Sequence, residues 1–208
     1  MTGPAADRRP DPDAPRPPRR PPHAVVIGAG PDGLAAALAL ARHVERVTLV
    51  DAADVPGPGW GAEGGSARRS AAVRQVLESP QVVVRAGLEA VGLVLRGGRV
   101  AGVLVRSRRA SGAAPDTIEA DLVVDARGAA EGTTSGPRPD GLVRIERPGP
   151  DAPAAPGQGS RDAWVRAAVL DRVVGEHLAR HGRLAGVSAV AQRRLDAGGG
   201  PDDVPVAG

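Results

Sequence analysis

Residues 24–51 read AVVIGAGPDGLAAALALARHVERVTLVD and begin with four apolar residues, which predict a short buried strand. The Ala/Leu-rich run over 34–42 predicts a helix, and residues 47–50 predict a second apolar strand. Continuous apolar strands separated by a helix are typical of a parallel sheet that is covered on both faces. The sequence therefore predicts an α/β protein that contains a Rossmann-like βαβ unit.

The glycine motif GAGPDG directly follows the first strand and opens the helix. In this context Gly28 permits a tight turn, Gly30 lets the backbone approach a diphosphate, and Gly33 lets the helix pack close to the strand. The free N–H groups at the start of the helix favour a phosphate. The second strand ends in Asp51, 18 residues after Gly33, which is the spacing of a ribose-binding carboxylate. The motif predicts a dinucleotide site at Gly28, Ala29, Gly30, Gly33 and Asp51.

Two reservations stay open for this motif. The glycines are also compatible with a packing turn in another kind of α/β protein that binds no ligand there. In addition, Asp32 lies beside the expected diphosphate and would repel it unless the carboxylate points to solvent.

The composition excludes several other kinds of chemistry. The chain of 208 residues has no Cys, and therefore no disulfide, no cysteine nucleophile and no cysteine-based metal site. It has no Phe or Tyr and only two Trp on which bases could stack. All 27 basic residues are Arg, which excludes a Schiff-base lysine and a Walker-type phosphate lysine. The pI near 10.9 reflects a small net charge of +3 with nothing to titrate between His and Arg, so no nucleic-acid partner is predicted.

The chain divides into five segments. They are a Pro/Arg-rich arm over 1–22, predicted to be disordered; the βαβ unit and a meander over 23–131; a Gly/Pro-rich loop region over 132–160; helices over 161–197; and a tail over 198–208, predicted to be disordered.

Arg19 and Arg20 precede the first apolar run, which raises the alternative of a secretion signal. Pro31, Asp32 and three glycines interrupt that run, however, and a strand, turn and helix account for all of them. Because the sequence has no convincing signal, no Cys and no run that reaches membrane-spanning length, we predict a cytoplasmic protein.

Short strands dominate the second half of the βαβ segment. Apolar runs at 82–85, 91–95 and 100–105, the last two separated by a Gly-Gly turn, predict a β-hairpin that neighbouring strands extend into a meander. The stretch DLVVDARG over 121–128 predicts an apolar strand that ends at a glycine, and residues 142–145 can form one more.

With these parts in this order, the chain resembles FAD-dependent oxidoreductases of the glutathione-reductase-like superfamily, nearest the flavin monooxygenases. The resemblance rests on AVVIGAGPDGLAAALALARHVERVTLVDAADVP at 24–56, VVVRAGLEAVGLVLRGGRVAGVLV at 82–105 and ADLVVDARG at 120–128. In that family the βαβ unit holds the ADP part of FAD, a meander follows, and a strand with a D-A-x-G motif returns beside the nucleotide. The resemblance implies that the cofactor is FAD.

The resemblance also implies roles for individual residues. The family's carboxylate at the second strand corresponds to Asp51, and its return motif corresponds to Asp125, Ala126 and Gly128. An arginine in the helix before the meander often approaches FAD in this family, and we assign this role to Arg74, with Arg68 and Arg69 as alternatives. A G-D-A segment and a helix-opening G-Q-G correspond to Asp151, Gly157, Gln158 and Gly159, although a Gly/Pro-rich loop without a ligand is an equal alternative.

Two family segments are short or missing in this sequence. One lies between the second strand and the meander, and the other is the substrate-binding sheet expected between Gly128 and Asp151. Little sequence is left to cover the reactive face of a flavin, so the substrate domain is predicted to be largely missing. The resemblance thus supports FAD binding better than catalysis.

Three functions are compatible with the sequence. The first is an FAD-binding, monooxygenase-like oxidoreductase that transfers hydride or oxygen to an unknown small molecule, with NAD(P)H as a further partner. The second is a non-catalytic dinucleotide-binding module or shortened remnant. The third, the NAD(P)-binding domain of an ordinary Rossmann enzyme, disagrees with the meander and the DARG motif. No metal is predicted, since His177 and His181 lack a suitably placed carboxylate and are interpreted as a surface pair.

Overall fold

The computed structural model describes residues 22–54, 67–110, 112–127, 138–145 and 158–197, and it describes only the backbone of 67–70 and 158–161. The predicted arm up to residue 21, the predicted tail over 198–208 and most of the predicted loop region over 132–160 lie outside these ranges.

Strands and helices follow one another in the described ranges largely as the sequence predicts. Their bounds are β1 His23–Ile27, α1 Pro31–Leu40, β2 Arg46–Asp51, α2 Ala67–Glu78, β3 Val82–Ala86, β4 Leu88–Arg96, β5 Arg99–Ser107, β6 Asp116–Glu119, β7 Leu122–Asp125, β8 Leu142–Arg144, α3 Gln158–His181 and α4 Val187–Asp196.

Five strands form a parallel sheet with the order β3-β2-β1-β7-β8, and the other three form a separate antiparallel sheet with the order β4-β5-β6. β1 lies at the centre of the parallel sheet, between β2 and β7. The first crossover leads from β1 to β2, whereas β7 returns to the opposite side of β1. The predicted fold class is confirmed: a Rossmann-like α/β sheet with a β-meander and C-terminal helices.

The central strand shows why its sequence is apolar throughout. Ala24 and Val26 pack in a core with the helices, whereas Val25 and Ile27 pack in a second core with the antiparallel sheet. A strand that is covered on both faces cannot alternate polar and apolar residues, because either face would bury the polar ones. The molecule therefore has three layers, with the parallel sheet in the middle.

The meander has different members from those that the sequence suggested. The strand over 82–86 is β3, which pairs in parallel with β2, and the short strand β6 completes the antiparallel sheet instead. The regular alternation of Val91, Leu93 and Leu95 is also interrupted, since the β4–β5 register shifts at two places. Leu93 packs against the core, but Val91 and Leu95 are exposed.

Helix α1 is buried on nearly every side, because it lies between the parallel sheet and α3. Its side chains towards α3 are small: Ala35 and Ala39 form a buried cluster with Ala167. Small side chains let two helix axes approach closely, which is how the distant helix α3 reaches the start of α1. Among the described helices, none is long and apolar enough to cross a lipid bilayer.

The edge strand β8 is completed by a side chain of α4 instead of by a further strand. The backbone N–H of Arg144 donates to Gln192 Oε1 at 2.8 Å, and Gln192 Nε2 donates to the carbonyl of Arg144 at 3.1 Å. One turn earlier on α4, Ser188 Oγ accepts a hydrogen bond from the Gly141 N–H at 2.8 Å. Helix α4 thus satisfies backbone groups that an open sheet edge would leave unpaired.

Replacing Gln192 with leucine is expected to lower the free energy of unfolding by about 2 kcal/mol, because two backbone groups of the edge strand lose their partners. Urea denaturation followed by circular dichroism measures the change. Arg193→Leu on the exposed side of the same helix is the control and should change stability by less than about 0.5 kcal/mol. Equal losses in the two variants would contradict the role of the Gln192 amide.

Candidate functional site

The turn after β1 brings the glycine motif to the carboxyl edge of the parallel sheet. Gly28 has a φ of +95°, a conformation that favours glycine, and its N–H donates to the Val50 carbonyl at 2.8 Å. Gly30 precedes α1 with an extended backbone, and Pro31 occupies the first turn of the helix. No side chain caps the start of this helix. Because the helix begins directly after the turn, its positive end lies at the carboxyl edge of the sheet.

Gly33 is required by the close approach of α1 to the turn. A Cβ on Gly33 would lie 1.7 Å from the carbonyl oxygen of Gly28 and 2.8 Å from its carbonyl carbon. Both distances are far below van der Waals contact, and both involve backbone atoms that cannot rotate away. Any larger residue at position 33 must therefore displace the glycine turn.

Asp51 lies beside this turn, at the carboxyl end of β2. Its Oδ2 accepts a hydrogen bond from the Ala29 N–H at 2.5 Å, and its Oδ1 accepts one from the Ala53 N–H at 2.8 Å. A carboxylate offers about four acceptor positions, so each oxygen can still accept a hydroxyl group. Asp51 is half-buried; it holds the turn in place and can still accept further hydrogen bonds.

Asp125 lies on the other side of β1, paired in register with Ile27. It is buried and receives two parallel hydrogen bonds from Arg127, from Nε at 2.9 Å and from Nη2 at 2.8 Å. These hydrogen bonds raise the pKa of Arg127 above its ordinary value, against the opposing effect of burial. Arg127 Nη1 also donates to the Ala90 carbonyl of β4 at 3.2 Å, which links the two sheets.

Arg127 itself was not among the predicted site residues. Its Cγ lies 3.2 Å from the position that a Cβ on Gly28 would occupy, so the side chain lies directly against the glycine turn. The only sequence signal is its place between Ala126 and Gly128 in the DARG motif, where the resemblance leaves the residue type open. The structure thus places the stem of an arginine side chain against the turn of a protein that has no lysine.

Asp32 does not point to solvent, and its charge is compensated in another way. Its carboxylate is buried and accepts hydrogen bonds from Arg166 of α3, from Nε at 2.8 Å and from Nη2 at 2.6 Å. Arg166 neutralises the negative charge that would otherwise oppose a diphosphate. The two residues stand 134 positions apart in the sequence, and no local pattern could have paired them.

The remaining predicted residues are not brought to the turn by the described contacts. Arg74 lies on the exposed side of α2, and the side chains of Arg68 and Arg69 are not described. Gly128, Asp151 and Gly157 lie outside the described residues. Gln158 and Gly159 begin α3, with only their backbone described.

His177 and His181 contact each other, and His177 also contacts the nearby backbone. The His177 and His181 rings lie 4.5 Å apart between centroids, and His177 Nε2 lies 2.7 Å from the Ala185 carbonyl oxygen. Within the ranges that the structure describes, no three His, Asp or Glu side chains are grouped as a metal site.

The carboxyl ends of three neighbouring strands thus meet around the start of α1. Gly28 follows β1, Asp51 ends β2 and Asp125 ends β7, and the chain leaves β1 towards one side and returns on the other. A crevice forms at such a reversal of strand order, and open α/β sheets bind their ligands there. The fold and this edge together have the form of a Rossmann-like α/β unit with a candidate ligand site at the glycine turn.

Comparison with known proteins agrees with this class. Residues 26–69 match the family model of the NAD(P)-binding Rossmann-like domain. This match covers β1, α1 and β2 with the glycine motif and Asp51, and it ends in the first residues of α2. No curated protein matches the chain significantly in sequence.

Parts of several solved structures are also similar to this chain. The THI4 protein of Thermovibrio ammonificans is 21% identical with a TM-score of 0.43, and the match covers 51% of this chain and 56% of that one. The glycerol-3-phosphate dehydrogenase of Bacillus halodurans, complexed with FAD, is 16% identical with a TM-score of 0.41, covering 51% and 34%. An FAD-dependent pyridine nucleotide-disulphide oxidoreductase of Desulfovibrio vulgaris is 33% identical with a TM-score of 0.35, covering 50% and 23%. The chain thus matches at most 56% of the length of any of these three proteins.

Proposed function

We propose that the protein binds FAD at the carboxyl edge of its parallel sheet and takes part in flavin-dependent oxidoreduction. The observation that carries the proposal is the combination of the glycine turn with an antiparallel sheet and a returning strand β7 that places Asp125 beside Ile27. An ordinary NAD(P)-binding half would continue with helical crossovers at this point, instead of the antiparallel sheet β4–β6. The resemblance of the sequence to FAD-dependent oxidoreductases supports the same choice.

The residues present suit the charge of a dinucleotide. The diphosphate would lie at Gly28–Gly30 and the positive end of α1, and Asp51 would accept the ribose hydroxyls. Of the three aspartates around the turn, Asp32 is paired with Arg166 and Asp125 with Arg127. Only Asp51 keeps a carboxylate that no cation neutralises in the described contacts, and a ribose needs such an acceptor. When bound, FAD would supply two-electron redox chemistry.

The finer assignments extend this proposal. A monooxygenase-like reaction needs NAD(P)H and a small-molecule substrate in addition to FAD, and both are proposed partners. A purified sample that shows flavin absorbance and is bleached by NADPH and reoxidised by air would support an enzyme. FAD that is bound but not reduced by NADPH would favour the non-catalytic module.

Gly30→Val is expected to weaken FAD binding at least a hundredfold, because the added side chain fills the space through which the backbone contacts the diphosphate. The φ of −65° and ψ of 178° at Gly30 are accessible to valine, so the fold should persist. Quenching of flavin fluorescence on titration with FAD measures the affinity, and melting temperature checks the fold.

Ala71→Val, at an exposed position on α2, is the control and should bind FAD like the wild type. Unchanged affinity in Gly30→Val would show that the turn is not the binding site. A wild-type protein that binds NADPH but takes up no FAD would favour the ordinary NAD(P)-binding alternative.

A further inference from the structure

A polar cavity lies at the end of β8, where Arg144 pairs in register with Asp125 of β7. Its volume is about 480 Å³, and its lining consists of Arg138, Arg144, Ile145, Arg166, Leu195 and Asp196. Ligand pockets of small molecules commonly have volumes in this range. The lining contains three guanidinium groups and one carboxylate, so the cavity is positively charged.

Two of the three arginines already have acidic partners. Arg166 binds Asp32 at the start of α1, and Arg138 Nη1 lies 3.6 Å from Asp196 Oδ2. Asp196 Oδ1 also accepts a hydrogen bond from Gln192 Nε2 at 2.7 Å. The carboxylate in the lining is therefore largely compensated, and the excess positive charge is that of Arg144.

Arg144 has an unusual environment for an arginine. Its Nε is buried without any hydrogen-bond partner, and no ion pair of its guanidinium group is found among the described residues. The Gln192 amide holds the Arg144 backbone on both sides, which fixes the start of the side chain. A buried N–H of a charged group that makes no hydrogen bond is costly, and such groups in native proteins generally require an explanation.

We propose that this cavity binds a compact anionic group, a phosphate or a carboxylate, with Arg144 as its main ligand. The fork of N–H donors in a guanidinium matches the paired oxygens of both anions, and binding satisfies the buried Nε. Arg166 lines the cavity and also holds Asp32, so the site borders the proposed dinucleotide site. The anion belongs either to the dinucleotide or to a second, acidic small molecule.

The test is calorimetric titration of the purified full chain, without added dinucleotide, with inorganic phosphate and separately with succinate at constant ionic strength. Arg144→Gln is expected to weaken binding of both by about tenfold to a hundredfold, since a charge-assisted contact is lost. Arg46→Gln removes the same charge from an exposed position at the amino end of β2 and should bind like the wild type.

Two further variants keep the test decisive if Arg144→Gln folds poorly. Arg144→Lys keeps the charge but loses the fork and should bind with intermediate affinity. Asp196→Asn removes the one carboxylate of the lining and should bind both anions severalfold more tightly. No binding by the wild type, or equal binding by Arg144→Gln, overturns the proposal.

A last titration identifies the source of the anion and separates this proposal from that of FAD binding. The phosphate titration is repeated on protein saturated with FAD. Loss of phosphate binding assigns the site to a group of the dinucleotide, whereas unchanged binding assigns it to a separate acidic ligand. If the wild type takes up no FAD, the comparison of Arg144→Gln with Arg46→Gln still decides the anion site alone.

Discussion

Gly33→Ala is expected to destabilise the protein by about 3 kcal/mol or more, although alanine is the better helix former. The new Cβ would lie 1.7 Å from the Gly28 carbonyl oxygen, so either α1 or the glycine turn must move. Overpacking of a rigid site commonly costs about 1–3 kcal/mol, and here both colliding partners are backbone. The gain in helix propensity of about 1 kcal/mol offsets only part of that cost.

Gly175→Ala in α3 provides a matched comparison, since it is the same change in the interior of a helix. Its Cβ would lie 2.7 Å from Cε1 of His43, which is the edge of a side-chain ring that can rotate. Rotation would weaken the 2.9 Å contact between His43 and Asp171, against the same gain in propensity. We expect a net change within about 1 kcal/mol.

Urea denaturation monitored by circular dichroism measures both variants, with FAD titration on whichever protein stays folded. Equal stability of Gly33→Ala and the wild type would show that the turn does not lie against α1 as described. A similar loss in both variants would mean that backbone and side-chain obstacles cost the same, which contradicts the physical argument.

Arg166→Met is the second large effect, with an expected loss of about 3–5 kcal/mol in unfolding free energy. Methionine keeps much of the packing of the arginine stem but removes the two hydrogen bonds to Asp32. The side chain of Asp32 is only 3% exposed, so its charge would remain where water cannot solvate it. Removal of one partner of a buried pair costs far more than removal of both.

The double variant Asp32→Ala/Arg166→Met should therefore be more stable than Arg166→Met alone. Arg172→Met on the same helix is the control, because Arg172 forms an exposed pair with Glu176 one turn away. Pairs of that kind contribute about 0.5 kcal/mol. A loss in Arg166→Met no larger than in Arg172→Met, or a double variant no more stable than Arg166→Met, would contradict the buried ion pair. Thermal and urea unfolding of the wild type, Asp32→Ala, Arg166→Met and the double variant give the four free energies of the cycle.

The site could be predicted from the sequence where its residues are close neighbours along the chain. Gly28, Gly33 and Asp51 lie within one βαβ unit, and short-range rules of turn, helix and strand fix their relative positions. The position of Asp125 at the carboxyl edge of the sheet was predicted from the resemblance to a family with this order of elements. The residues next to Asp125 in the sequence do not predict it. The sheet to which the strand over 82–86 belongs does not follow from the sequence, since a short apolar run fits either sheet until its partner is known.

The sequence by itself determined the central βαβ unit, because continuous apolar strands, a glycine turn and a strand-end carboxylate each act over a few residues. Only the tertiary structure decided which charges oppose one another. Asp32 meets Arg166 across 134 residues, and Gln192 closes the edge of β8 beside Arg144 across 48 residues. Such pairs form because the three layers bring distant elements together. The sequence around one side chain does not indicate which distant residue will pair with it once packing has excluded water from both.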